Sequence, residues 1–207
     1  MMNRFCALIA LTLFTSCGQS MTPEAVIAKG DVAALKQLLA SGTKPDAKNK
    51  DGLELIHLAA QSGHADMLKV LLDAGAKVDS KNPMLSEPLH LAAWKGDLDS
   101  ITLLLDSGAK IEAVDWLGTP LHKAADQGHF EAVKLLLARG ASPATKSKVH
   151  YDAAAYAAEK GHFDVIEILI NKGGRVESTT SGGNQLIHLA AQKGNLHAVK
   201  FLISKGT

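Results

Sequence analysis

The chain has 207 residues, with 22 Lys+Arg against 21 Asp+Glu, a balance that excludes a global field able to gather nucleic acid or an anionic surface. Aromatic residues make up 4% of a chain that is 46% apolar, so its core is built from leucine and alanine. The length holds one continuous pattern and leaves no room for a second domain.

Met1 to Arg4 carry one positive charge, and Phe5 to Phe14 form an apolar run of ten residues. A bilayer span takes about 20, so the run reads as the core of a signal peptide. A plain secretory signal wants an A-x-A-like cleavage site, and none is present. Phe14-Thr15-Ser16-Cys17 resembles a bacterial lipobox. The resemblance implies removal of residues 1–16 and lipid on the Cys17 sulfur; the alternative is an ordinary signal with an incidental cysteine and a secreted or soluble periplasmic product. Cys6 leaves with the signal, so the lipidated form has no free thiol and no disulfide. Gly18 follows the cysteine where aspartate holds enterobacterial lipoproteins in the inner membrane, which favours an outer-membrane, periplasm-facing anchor. Residues 17–22 are then the lipidated cysteine and a short linker, whose stretch from Gly18 reaches about 17 Å at most.

From Pro23 onward the chain repeats. The phrases LELIHLAAQSGH, SEPLHLAAWKGD, GTPLHKAADQGH, YDAAAYAAEKGH and NQLIHLAAQKGN recur, each ending one residue after a glycine of the series Gly30, Gly63, Gly96, Gly128, Gly161 and Gly194. The intervals are 33, 33, 32, 33 and 33 residues, and a second series (Gly42, Gly75, Gly108, Gly140, Gly173, Gly206) keeps the same step. Between the two glycines apolar residues stand at i, i+3 and i+4: Leu35/Leu38/Leu39, Leu68/Leu71/Leu72, Ile101/Leu104/Leu105, Val133/Leu136/Leu137, Ile166/Leu169/Ile170 and Val199/Leu202/Ile203. That spacing is one face of a helix. A shorter helix precedes each one and carries paired alanines such as Ala59/Ala60 and Ala92/Ala93, which let backbones approach closely. Gly75, Gly108 and Gly140 then stand where a helix C-terminus turns left-handed. Six units of helix, tight turn, helix and roughly ten-residue connector are expected over 23–207, an all-α chain.

Thr119-Pro120-Leu121-His122-Lys123-Ala124-Ala125, then Gly128-His129, then Val133, Leu136, Leu137, Gly140 and Ala141 resemble the ankyrin repeat. The resemblance implies a right-handed solenoid of helix pairs with hairpin fingers, in which each unit touches its neighbours and stability is a nearest-neighbour sum. Two departures stand out. Asp152-Ala153-Ala154-Ala155 replaces Thr-Pro-Leu-His, which predicts a weaker helix cap and removes an imidazole. The finger from Gly108 to Thr119 is one residue short, which predicts a displaced tip. The last unit ends at Gly206-Thr207 without a separate polar cap.

The aligned His57, His90, His122 and His188 invite a metal reading, yet stacked helices stand roughly 8–10 Å apart and zinc ligands come within about 2.0–2.1 Å of one ion. In the family this imidazole bonds backbone between units, so no metal or cofactor is expected. His64, His129 and His162, which open the second helices, take the same structural reading. No H-E-x-x-H, G-x-S-x-G, Walker or dinucleotide motif occurs, Ser181-Gly182-Gly183 reads as a turn, and Lys146, Lys148 and His150 read as a solvated loop. No catalysis is expected, because polar residues repeat linearly instead of converging.

In the ankyrin family partners are held by fingertips and by the exposed side of the first helices. Position by position this places Lys81, Pro83, Met84, Ser86, Trp94 and Lys95 on the binding surface, then Val114, Trp116, Leu117, Asp126 and Gln127, then Lys148, Val149, Tyr151, Glu159 and Lys160. Both tryptophans of the chain fall in these slots, and tryptophan and tyrosine are frequent interface anchors. The expectation is a monomeric, membrane-tethered, non-catalytic lipoprotein that binds an envelope protein and not nucleic acid. The alternative function is an immunity lipoprotein that neutralises a periplasm-acting toxin such as a lipase or peptidoglycan hydrolase.

Overall fold

The computed structural model describes residues 22–180 and 182–206. The signal segment, Cys17, Ser181 and Thr207 lie outside the described residues. Among the described residues twelve helices follow one another: α1 (Pro23–Lys29), α2 (Val32–Ala40), α3 (Leu55–Ser62), α4 (Ala65–Asp73), α5 (Pro88–Lys95), α6 (Leu98–Asp106), α7 (Pro120–Gln127), α8 (Phe130–Ala138), α9 (Ala153–Lys160), α10 (Phe163–Asn171), α11 (Leu186–Gln192) and α12 (Leu196–Ser204). Among the described residues extended pairing is confined to two isolated bridges at finger bases, Lys48 with Glu54 and Thr179 with Gln185.

The odd-numbered helices stack on one another to form one layer, and the even-numbered helices stack to form a second. Ala59, Ala60, Ala92, Ala93, Ala124, Ala125, Ala157 and Ala158 are fully buried in the first layer. Leu68, Leu71, Ile101, Leu104, Val133 and Leu136 fill the seam between layers. Each such aliphatic side chain contributes about 2 kcal/mol by leaving water. The final pair shows what this stacking supplies. Ile203 is 57% exposed where its counterpart Ile170 is 7% exposed, and Ala191 and His188 are open to solvent where Ala158 and His122 are buried.

Caps decide where the first helices start and stop. At α3, α5, α7 and α11 the N-cap residue and the histidine three positions on satisfy each other's backbone N–H groups, a reciprocal capping box. The weaker cap expected at α9 is corrected. The Asp152 carboxylate accepts from Ala155 N at 3.0 Å and from the Ser178 hydroxyl, so one side chain both caps the helix and ties it to the next finger. At the C-termini Gly96 and Gly128 adopt φ 75° and 72°. A Cβ at either would also stand 2.5 Å from the ring of His129 or His162, so two constraints select glycine there.

The fingertips are turns organised by their own first side chain. Asn49, Asn82 and Ser147 each open a tip that closes with a backbone bond four residues on, to Leu53, Ser86 and Tyr151. Asn49 Oδ1 accepts from Asp51 and Leu53, and Asn82 Oδ1 accepts from Met84 and Ser86. The short third finger loses its residue within the turn itself: Asp115 N donates to Gly118 O at 3.0 Å, and Asp115 Oδ1 accepts from Leu117 and Gly118.

Candidate functional site

Three interior histidines are held at both ring nitrogens. In His57, His90 and His122, Nδ1 accepts from the backbone N–H of Glu54, Glu87 and Thr119. That leaves the proton on Nε2, which donates to Ser80 O, Ala113 O and Tyr151 O at 3.0, 3.0 and 3.1 Å. Burial pushes all three below the ordinary 6.5, so they are neutral links between units. A second ladder runs along the turns. His129 Nε2 donates to Trp94 O and His162 Nε2 to Asp126 O, each ring lying over the glycine that ends the preceding unit's first helix. The recurring Gly-His dipeptides are its signal in the sequence, legible only once each ring is placed against the earlier glycine.

Lys123 occupies the slot that Leu58 and Leu91 fill in earlier units. It reaches Asp115 Oδ2 at 2.8 Å, with side-chain exposures of 12% and 1%. Burial alone raises a carboxyl, but the Lys123 ammonium and the Ser86 hydroxyl, at 2.6 Å, outweigh it and hold Asp115 below the usual carboxylate range. Ser86 is therefore a correction. It was expected on the outer surface and is buried, welding fingertip two to fingertip three.

The other surface residues are placed as follows. Met84 is 70% exposed, Trp116 59% and Leu117 53%; Val114, Val149 and Trp94 are also exposed. Lys81, Pro83, Lys95, Lys148, Glu159 and Lys160 are exposed too. Lys148 Nζ stands 4.7 Å from the Trp116 ring centroid and joins fingertips three and four, a cation–π contact. Tyr151 is half-buried: its ring meets Tyr156 edge-on at 5.9 Å while its carbonyl receives His122. Asp126 and Gln127 are half-buried and bonded to each other at 2.7 Å. The structure thus brings the fingertip residues into one run from Met84 to Val149, whereas Tyr151 and Asp126 also serve the frame. Leu85, which the repeat pattern does not single out, and His150, expected as part of a solvated loop, are exposed on the same tips.

Among the described residues no cluster of His, Cys, Asp and Glu has the arrangement of a metal site, and no helix is long and apolar enough to cross a membrane. No curated protein matches the chain. The ankyrin repeat domain of human ASB11 is similar at 26% identity and TM-score 0.81, over 89% of this chain and 83% of that one. An ankyrin repeat domain from Acinetobacter baumannii AYE shares the fold at 23% identity and TM-score 0.75, over 89% of this chain and 97% of that one. Residues 24–115 and 121–207 each match the family model for ankyrin repeats, which describes three copies. Domains of this kind are in general protein–protein interaction modules, and with the helix pairs, fingers and histidine links described above, the chain belongs to the ankyrin repeat family.

Proposed function

We propose that the chain is a non-catalytic, membrane-tethered periplasmic lipoprotein whose six ankyrin repeats bind or stabilise an envelope protein. The observation that carries the binding reading is the concentration of large exposed apolar side chains on fingertips two to four, together with Trp94 on the adjoining first helix. Soluble surfaces rarely leave such groups together without a partner to cover them. The tether reading rests on the lipobox-like Phe14-Thr15-Ser16-Cys17.

The test is affinity capture from a bacterial envelope fraction with wild-type protein and with Trp94→Ala/Trp116→Ala. Recovery of one protein by wild type alone supports the fingertip surface, whereas recovery of the same proteins by both baits rejects it. Assaying the captured protein then separates a stabilised partner from an inhibited one. Metabolic labelling with a fatty acid, lost on Cys17→Ser, tests the anchor.

A further inference from the structure

Two fingertips hold a side chain where the turn favours none. The four longer tips place their fourth residue in left-handed backbone: Gly52, Leu85, His150 and Gly183, at φ 77°, 61°, 66° and 73°. Glycine takes this conformation freely, while leucine and histidine are strained in it. Packing does not demand them, since both are exposed. The exposed Met84, Trp116, Leu117 and Val149 lie on these two tips and the one between them, whereas tips one and five show no large exposed apolar side chain among the described residues. Strain that the fold does not need, beside apolar surface that the fold does not need, points to contact with something else.

Charge narrows what that is. Across tips 82–86, 115–118 and 147–151 the one carboxylate is Asp115, buried and matched by Lys123. Glu87 and Asp152 beside them are buried, and Glu112 accepts from Ser142 N and the Thr145 hydroxyl. Lys81, Lys146 and Lys148 are exposed around the apolar crest, with Lys81 only 3.8 Å-paired to Glu87. The crest is therefore apolar with a cationic rim. A flat anionic bilayer would also press against Asp79 and Glu112, both exposed at finger roots, whereas a narrow segment confined to the tips avoids them. Nucleic acid would find only Trp116 and the His150 imidazole to stack on, among aliphatic groups, and no global field to draw it in.

We propose that fingertips two to four receive a protein segment in which aliphatic or aromatic anchors are interleaved with carboxylates, and that Leu85 and His150 are contact residues of this site. The inference rests on the fingertip reading above and gives its partner a chemistry.

The test pans a phage-displayed library of random peptides on the full chain, on K81E/K146E/K148E, on W116A and on L85G/H150G, with co-sedimentation on phosphatidylglycerol vesicles alongside. Acidic peptides with apolar anchors should be enriched on wild type, and recovery should fall about tenfold on the charge reversal and on W116A. L85G/H150G should lower recovery while raising the melting temperature, a divergence that a purely structural role does not produce. Enrichment of neutral or basic peptides that still need Trp116 overturns the acidic chemistry and leaves the fingertip surface standing. Enrichment indifferent to Trp116 and to the lysines overturns both. Vesicle binding without peptide enrichment overturns the protein segment in favour of lipid, and unchanged recovery on L85G/H150G removes those two residues from the site.

Discussion

Ser80 donates its hydroxyl to Glu54 Oε2 at 2.6 Å and so ties one finger to the cap of the preceding first helix. One repeat further along, the same two places hold Ala113 and Glu87, and the buried Glu87 Oε2 has no hydrogen-bond partner among the described residues. Burial accordingly pushes the Glu87 carboxyl above its ordinary 4.5. Two units with nearly the same frame thus differ by one hydroxyl at their shared boundary.

Ala113→Ser should stabilise the chain by about 1 kcal/mol, measured by urea denaturation at neutral pH, because the new hydroxyl reproduces the Ser80 contact. The pH dependence gives a second reading. The folded state holds the Glu87 proton more tightly than the unfolded state, so stability contributed by the protonated group is present below pH 4.5 and is lost as pH rises through the elevated folded value. Glu87→Gln should flatten that part of the curve and raise stability at neutral pH. An unchanged curve in both variants would show that Glu87 finds a partner in solution.

The histidine links titrate in the opposite sense. His57, His90 and His122 have folded values below the ordinary 6.5, so the unfolded chain binds protons first and stability falls as pH drops below 6.5 toward the folded values. Melting temperature followed from pH 7.5 to pH 5 should fall accordingly. His90→Ala should reduce the acid dependence and cost roughly 1–3 kcal/mol at neutral pH, since it leaves Glu87 N and Ala113 O unpaired. An acid profile identical to wild type would rule this imidazole out as a contributor.

Asp115 and Lys123 form a buried pair, so removing one partner strands the other charge. Asp115→Ala should destabilise by about 3–5 kcal/mol. Lys123→Leu, which restores the residue type of Leu58 and Leu91, should also remove the counter-ion, and Asp115→Ala/Lys123→Leu should recover much of the loss. A double-mutant cycle by chemical denaturation measures the coupling, and additive losses would mean that Ser86 and the two backbone N–H groups hold Asp115 unaided.

The frame was legible in the sequence because glycine spacing and helix periodicity are local patterns that tertiary context did not override. Leu35, Leu68, Ile101, Val133 and Leu136 are buried where the pattern puts them, and the three interior capping histidines bond backbone as expected. What escaped was pairwise. Ser86 is buried because its hydroxyl reaches Asp115 on the next finger, and Lys123 meets the same carboxylate, two contacts that repeat spacing does not reveal. Asp152 looked like a poor substitute for threonine, yet a carboxylate has acceptor capacity to serve Ala155 and Ser178 together. Leu85 carries no signal in the sequence and His150 reads there only as part of a solvated loop, because left-handed backbone at a non-glycine residue leaves no mark in composition or spacing.

Gly128 and Gly161 end equivalent helices with similar backbone, at φ 72° and 85°, but face different neighbours. A Cβ at Gly161 would meet only the flexible Lys193 side chain, at 3.6 Å, while one at Gly128 would stand 2.5 Å from the His162 ring. Alanine should therefore cost about 1–2 kcal/mol at Gly161 from the left-handed backbone alone. At Gly128 the loss should be larger by a further 1–2 kcal/mol, on the order of one hydrogen bond and its packing, because His162 must swing away from Asp126 O. Urea denaturation of the two variants measures the difference directly. Pairing Gly128→Ala with His162→Ala should bring its penalty down toward that of Gly161→Ala; if the penalties already match without the second change, the histidine ladder along the turns contributes nothing to stability.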